Sequence, residues 1–194
     1  MTIEELGAVG AAALIETGVE GGYDAVTCST AGDYPSLGAQ QVEGGRADEL
    51  LNNIAGGEVY VGRAYSDIEA AGELEALSAL LDSPEGQAAQ LAIIRRDTER
   101  YAQNAIDAGL TDRKCVLYAI VWSPTSELCI NRFIAKRLAR GYDIAADLDN
   151  LNDAFRNEYA DAVGCGAYAT GYRNRADRTY EYINALDLSA YDNE

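Results

Sequence analysis

The sequence predicts an α+β protein, mainly α, with a short β-hairpin region beside about eight helices, and three observations support this. Apolar residues recur at helical spacing along most of the 194 residues, between N-capping residues and terminal glycines. One glycine-rich and turn-rich stretch, residues 18–42, instead carries the alternation of short strands. An apolar content of 48% is enough to bury a core, so residues 1–194 are predicted to form a single domain.

The first helix is predicted from a capping box, because Thr2 is followed three residues later by Glu5. Its apolar face continues to Glu16, and Gly18 ends it. The other predicted helices share apolar positions at helical spacing between polar or glycine boundaries: residues 43–54, 65–81, 84–109, 111–122, 123–141, 148–163 and 172–186.

Two further segments are harder to assign. The run Val116–Trp122 is apolar nearly all round, which suits a buried central helix but also a buried strand. Residues 58–61 resemble a further short strand. The acidic tail from residue 187 to residue 194 is expected to fray.

The hairpin region is predicted from its turn signals. Tyr23 and Val26 supply strand alternation, and the segments 31–33 and 34–36 are predicted to be turns that divide the rest into short strands. Glu20 lies between the end of the first helix and this region, so its carboxyl group is expected at the wall of a cleft.

Composition excludes several classes of function. With 32 Asp and Glu against 15 Lys and Arg, the net charge is −17, which disfavours binding to nucleic acid or anionic lipid. The absence of histidine removes Ser-His and Cys-His nucleophiles and histidine-based metal sites. The four cysteines show no C-x-x-C spacing and are predicted to be free, mostly buried thiols, and neither a metal nor a cofactor is expected.

The sequence also carries no pattern for a membrane. The first residues are acidic where a signal peptide has a basic region, and no apolar run reaches the roughly 18 residues of a membrane span. The chain is therefore expected to be made in a cytoplasm and not to insert into a membrane.

One set of residues resembles the lysozyme-like domains of phage cell-wall hydrolases, whose usual pattern is E-G-x-Y-x-x-V, a D-x-G turn and S-x-G-x-x-Q-W. The matching residues here are Glu20, Gly21, Tyr23, Val26, Gly32, Ser36, Gly38 and Gln41. The resemblance extends into residues 44–51, 83–86 and 172–175, and so covers most of the chain. Two positions depart from the family pattern. The position of the family's aspartate is near Ser29 and Thr30, and Val42 occupies the position of the family's tryptophan.

The resemblance implies a lysozyme-like fold and a muramidase of phage or prophage origin, which cleaves cell-wall glycan next to N-acetylmuramic acid. Glu20 would be the general acid. For the second carboxylate the candidates are Asp33, Asp24 and Glu43, and Asp33 is preferred because its turn is expected to face Glu20. Ser36 could orient a water molecule.

The resemblance implies that the partner is the peptidoglycan glycan strand. The protein would act at the bacterial cell wall or within the phage particle. Its expected binding residues are Tyr23, Gln41, Tyr168 and Tyr172. Two other functions stay open at this point. A lone glutamate also serves lytic transglycosylases, and an inactive lysozyme-like domain could be a structural or binding component of a phage particle. The replaced aspartate and tryptophan and the acidic surface favour the inactive domain.

Overall fold

A computed structural model describes residues 1–191 and divides the chain into two compact units. The large unit contains Met1–Val19 and the chain from Arg95 onward, and the small unit is Glu20–Ile94. Among residues 1–191 there are eight α-helices and one two-stranded antiparallel sheet, which confirms a mainly helical protein with a short hairpin. The lysozyme-like fold and the single catalytic domain stay predictions.

The large unit is built from long helices whose ends follow the predicted signals. Its first helix is capped by Thr2, with both bonds of the capping box to Glu5 formed, and Gly18 closes it in the left-handed conformation. The helices of this unit are α1 (Ile3–Thr17), the C-terminal part of α5 (Pro84–Asp107), α6 (Arg113–Leu138), α7 (Leu148–Ala162) and α8 (Ala169–Ala185).

The core of the large unit centres on aromatic rings from α6, α7 and α8. Trp122 is fully buried, and its ring centroid lies 4.7 Å from that of Phe155 and 5.2 Å from that of Tyr159. The run Val116–Trp122 belongs to α6, so it is a helix and not a strand. Every residue in it is buried. The four cysteines are free as predicted, but only Cys115 is buried.

Two helical segments meet within α6, as the sequence predicted, but the boundary lies at Ser126 and not at Ser123-Pro124. The first segment continues through Pro124, and Ser126 has a non-helical φ of −175° and ψ of 93°. Proline is unfavourable inside a helix because it lacks the N–H that an interior position needs. Close by, Arg175 Nη2 donates a hydrogen bond to the Val121 carbonyl at 2.9 Å, and its guanidinium lies over the Trp122 ring.

The last helix starts earlier than its apolar pattern predicted. A 3₁₀ turn at Gly166–Tyr168 leads directly into α8, which begins at Ala169, three residues before the predicted start at Tyr172. After α8, the chain forms another 3₁₀ turn at Ser189–Tyr191. The rest of the tail that was predicted to fray lies outside the described residues.

The small unit holds the hairpin and three short helices. Strand β1 (Val26–Cys28) pairs with β2 (Pro35–Leu37) in the register Val26 to Leu37 and Cys28 to Pro35. The helices are α2 (Gly45–Asn52), α3 (Tyr65–Ala70), α4 (Leu74–Asp82) and the N-terminal part of α5. The core beneath them is aliphatic, with Leu37, Val42, Leu50, Leu51, Ile68, Leu77 and Leu81 fully or almost fully buried.

Three predictions for the small unit are wrong. Residues 34–36 are not a turn, because Pro35 opens β2. Gly57–Tyr60 is a 3₁₀ helix and not a strand, and burial of its first and fourth residues shows the three-residue period of that helix. The helix predicted over 65–81 is two helices, α3 and α4, because Gly72 adopts a φ of +70° between them.

None of the helices among residues 1–191 combines the length and the apolar character needed to cross a membrane.

Candidate functional site

Glu20 lies where α1 leads into the hairpin region, as the sequence predicted. It follows the end of α1 at Thr17 by three residues, precedes β1, and is half-buried. The next residue, Gly21, makes a close approach: a Cβ atom there would lie 2.9 Å from the Ala25 Cβ, 3.4 Å from Gln41 Nε2 and 3.5 Å from the Gly38 carbonyl oxygen. The backbone beside Glu20 is therefore in contact with the loop that follows β2.

That loop, residues 38–41, is a tight turn closed by a bridge between Leu37 and Val42, whose two backbone hydrogen bonds measure 3.0 and 2.9 Å. Gly38 has a φ of +69°, and Gln41 has a φ of +50°, which is the one positive value for a non-glycine residue among residues 1–191. Such a conformation strains a residue with a side chain, so neighbouring contacts must hold it.

Both polar atoms of the Gln41 side-chain amide form hydrogen bonds. Its Nε2 donates to the Gly38 carbonyl at 2.9 Å, and its Oε1 accepts from Thr27 Oγ1 at 2.6 Å. Ser36, which is buried, donates through Oγ to the Gln41 carbonyl at 3.2 Å. Ser36 and Gln41, predicted to orient water and to bind sugar, are thus brought together and build the loop against which Gly21 packs.

Gln90, on α5, fixes the same loop, and the sequence reasoning missed it. It is 3% exposed, its Oε1 accepts from Ala39 N at 2.9 Å, and its Nε2 donates to the carbonyls of Tyr23 at 3.1 Å and Leu81 at 2.9 Å. Tyr23 is thus tied to the loop through its backbone. The available signal was an amide at helical spacing from the buried Ile93 and Ile94.

Asp33 lies at the turn end of the hairpin. Ala25 pairs with Gly38 at the open end, and Ser29 pairs with Tyr34 at the turn end. The three residues of each strand lie between these pairs, so the pairs are four residue steps, about 13 Å, apart. Asp33 adjoins the turn end, whereas Gly21 packs at the open end.

The Asp33 carboxylate instead binds the start of α3. It accepts hydrogen bonds from Ser66 Oγ at 2.6 Å and Ser66 N at 2.9 Å. These two bonds lower the pKa of Asp33, because they stabilise its charged form. Asp33 therefore anchors a helix N-terminus as a carboxylate.

Asp33 also lines a cleft of about 240 Å³ within the small unit. The cleft has aromatic walls, Tyr34 and Tyr60, and further polar groups from Asp48 and Arg63. Asp48 accepts a hydrogen bond from Gly62 N, and Arg63 pairs with Glu73, so the polar lining is held in place. Aromatic faces with a few fixed polar groups are typical of small-ligand sites.

Tyr168 and Tyr172 belong to the large unit, whereas the other predicted site residues belong to the small unit. Tyr168 is 63% exposed. Tyr172 packs against the aromatic core, with ring centroids 5.2 Å from Tyr159 and 5.9 Å from Trp122, and burial raises the pKa of its hydroxyl. Tyr172 therefore has a packing role, which its helical spacing with Ala176 and Tyr180 indicated.

No family model, curated protein or solved structure matches this chain. The residues of the site offer a half-buried carboxyl group, Glu20, beside a rigid loop that presents backbone groups and the Gln41 amide.

Proposed function

We propose that the protein is a peptidoglycan hydrolase of the lysozyme-like type, with Glu20 as the general acid. One observation supports this most. The two halves of the pattern that resembles phage lysozymes, E-G and S-x-G-x-x-Q, are separate in sequence but come close at Gly21, where an added Cβ atom would lie 3.4 Å from Gln41 Nε2 and 3.5 Å from the Gly38 carbonyl oxygen. A contact of this kind is expected if both halves serve one site next to Glu20.

In this proposal Glu20 donates a proton to the glycosidic oxygen next to N-acetylmuramic acid, so that the leaving sugar departs as an alcohol. The Gly38–Gln41 loop supplies the wall against which the glycan lies. With no histidine in the chain, the proton must come from a carboxylic acid or another side chain.

The hairpin geometry favours a second candidate reaction, that of a lytic transglycosylase. An inverting hydrolase needs its second carboxylate about 6.5–9.5 Å from the acid, and a retaining one needs it at about 5–5.5 Å. The turn position of Asp33 and its bonds to Ser66 do not favour either role. A reaction in which Glu20 acts first as acid and then as base, and the sugar closes to an anhydro product, requires no second carboxylate.

A non-catalytic function as a phage structural or binding component is the other candidate. Val42, at the position of the family's tryptophan, is buried in the aliphatic core and does not offer an exposed aromatic face to a sugar. Ser29 Oγ, near the position of the family's aspartate, accepts a hydrogen bond from Ala31 N.

The test is clearing of purified cell walls at low salt by the wild type, Glu20→Gln and the matched control Glu16→Gln. Glu16 is an exposed glutamate on α1, so the control removes the same charge. We expect Glu20→Gln to lower the rate by about 100-fold or more, as loss of a general acid does, and Glu16→Gln to leave it unchanged. Mass spectrometry of the released sugars separates a hydrolysed product from an anhydro product, which is lighter by one water.

Equal rates for the wild type and Glu20→Gln would remove Glu20 from the mechanism. Wall binding without clearing by any of the three proteins would instead support the non-catalytic component. Circular dichroism of each variant controls for loss of fold.

A further inference from the structure

The large unit contains a cleft of about 170 Å³ with an unusual charge for this chain. It lies between the second half of α6 and the end of α7, and Phe133 and Val163 form apolar parts of its lining. Three cationic side chains line it: Arg132, Lys136 and Arg137. Because the chain has only 15 Lys and Arg against 32 Asp and Glu, this is a marked local reversal of the overall charge.

Arg137 is the fixed element of the cleft. It is 7% exposed, its guanidinium carbon lies 4.6 Å from the centroid of the Phe133 ring, and its Nη2 lies 2.8 Å from Glu158 Oε2. Its Nε is buried and has no hydrogen-bond partner among the described residues. A guanidinium held in place by a carboxylate and an aromatic ring is a preorganised partner for an oxyanion.

Arg132 and Lys136 lie one helical turn apart on α6 and are both exposed. Neither forms an ion pair or a hydrogen bond through its side chain with any residue between 1 and 191. Both charged groups therefore retain their full donor capacity for a ligand in the cleft.

The ends of the two helices do not explain these cations. Free carbonyl groups at a helix C-terminus attract positive charge, but here backbone N–H groups bind them. The Arg137 carbonyl accepts from Arg140 N and Tyr142 N, and the Tyr159 carbonyl accepts from Val163 N. The side chains of Arg132 and Lys136 are not needed for that purpose.

We propose that this cleft binds a phosphate-type oxyanion. Three cations and the single carboxylate of Glu158 leave a surplus of two positive charges, which a phosphate dianion matches. The ligand could be free phosphate or a phosphodiester of an anionic wall polymer. The site is independent of Glu20, and so of the proposed hydrolase activity.

The proposal is tested by titrating inorganic phosphate into the full chain at low ionic strength, with calorimetry or amide chemical shifts as the readout. The double variant Arg132→Gln/Lys136→Gln removes two exposed charges. The control Arg95→Gln/Arg173→Gln removes two exposed cations of the same unit that do not line the cleft. We expect the dissociation constant to rise about tenfold or more in the first variant and less than twofold in the control.

Two further ligands identify the source and the chemical class. A poly(glycerol phosphate) chain that binds more tightly than phosphate identifies a wall phosphodiester, and the reverse order identifies the free anion. Succinate tests the class, because equal binding of this dicarboxylate would overturn the assignment to phosphate. Absence of binding at 20 mM phosphate (on the order of the weakest specific affinities), or an equal loss in both variants, would overturn the site itself.

Discussion

In the large unit, six aromatic rings from α6, α7 and α8 pack together in one cluster that includes Trp122, whereas the buried core of the small unit is aliphatic apart from Tyr60. The aromatic set comprises Tyr118, Trp122, Phe133, Phe155, Tyr159 and Tyr172. Aromatic side chains bury the largest areas of any residue, so helix packing alone accounts for much of the stability of the large unit.

Polar side chains bind distant backbone groups in both units, but in the small unit they do so without an aromatic cluster beside them. Gln90 binds the backbone at Tyr23, Ala39 and Leu81, and Asp33 binds the start of α3. Short helices and a three-residue hairpin bury too little surface to fix their own turns, so such bonds must position them. The difference places Glu20 in the unit whose geometry depends on a few specific hydrogen bonds.

The largest effect is expected from Phe155→Ala in the large unit. The Phe155 ring contacts four other rings and is fully buried, so its removal should lower the free energy of unfolding by about 3–5 kcal/mol. Chemical denaturation measures this, with Leu128→Ala, which truncates a side chain that is 59% exposed, as the control. A loss below about 1 kcal/mol would mean that packing does not dominate this unit.

A smaller effect on stability, but a larger effect on the site, is expected from Gln90→Met in the small unit. The substitution keeps the length of the side chain but leaves the buried Ala39 N–H without its partner, at about 1–3 kcal/mol. We expect wall clearing to fall even where circular dichroism shows an intact fold, because Tyr23 and Ala39 lose their common anchor.

The control for Gln90→Met is Gln103→Met, an exposed glutamine on the same helix. If both variants clear walls at the wild-type rate, the hydrogen bonds of Gln90 do not shape the site. The comparison between the two units would then lose its functional meaning.

The smallest effect is expected from Asp33, through its dependence on pH. Since Ser66 lowers the pKa of Asp33 in the folded state, its contribution to stability is present above the unfolded value of about 3.8. It is lost as pH falls through the lower folded value. Denaturation of the wild type and Asp33→Asn from pH 6 to about 2 should therefore show a difference that shrinks with acid. A constant difference over this range would mean that ionised Asp33 does not anchor α3.

The sequence by itself determined the helical character of the chain and many helix ends. The Thr2 and Glu5 capping box, the Asp112 cap of α6 and the terminal Gly109 all act through residues within one turn of each other. Local signals of this kind are complete in the sequence, because partner and target are separated by three or four positions. The position of Glu20 after the first helix was predictable for the same reason.

Only the tertiary structure decided what the polar residues do. Asp33 binds Ser66, Gln90 binds Tyr23, and Arg175 binds the Val121 carbonyl beside the interruption of α6. Arg132 and Lys136 line the same cleft as Arg137, whose guanidinium is paired with Glu158 on another helix. Each of these contacts joins residues far apart in the chain, and hydrophobic periodicity reports which face of an element is buried but not which distant group lies opposite a polar side chain.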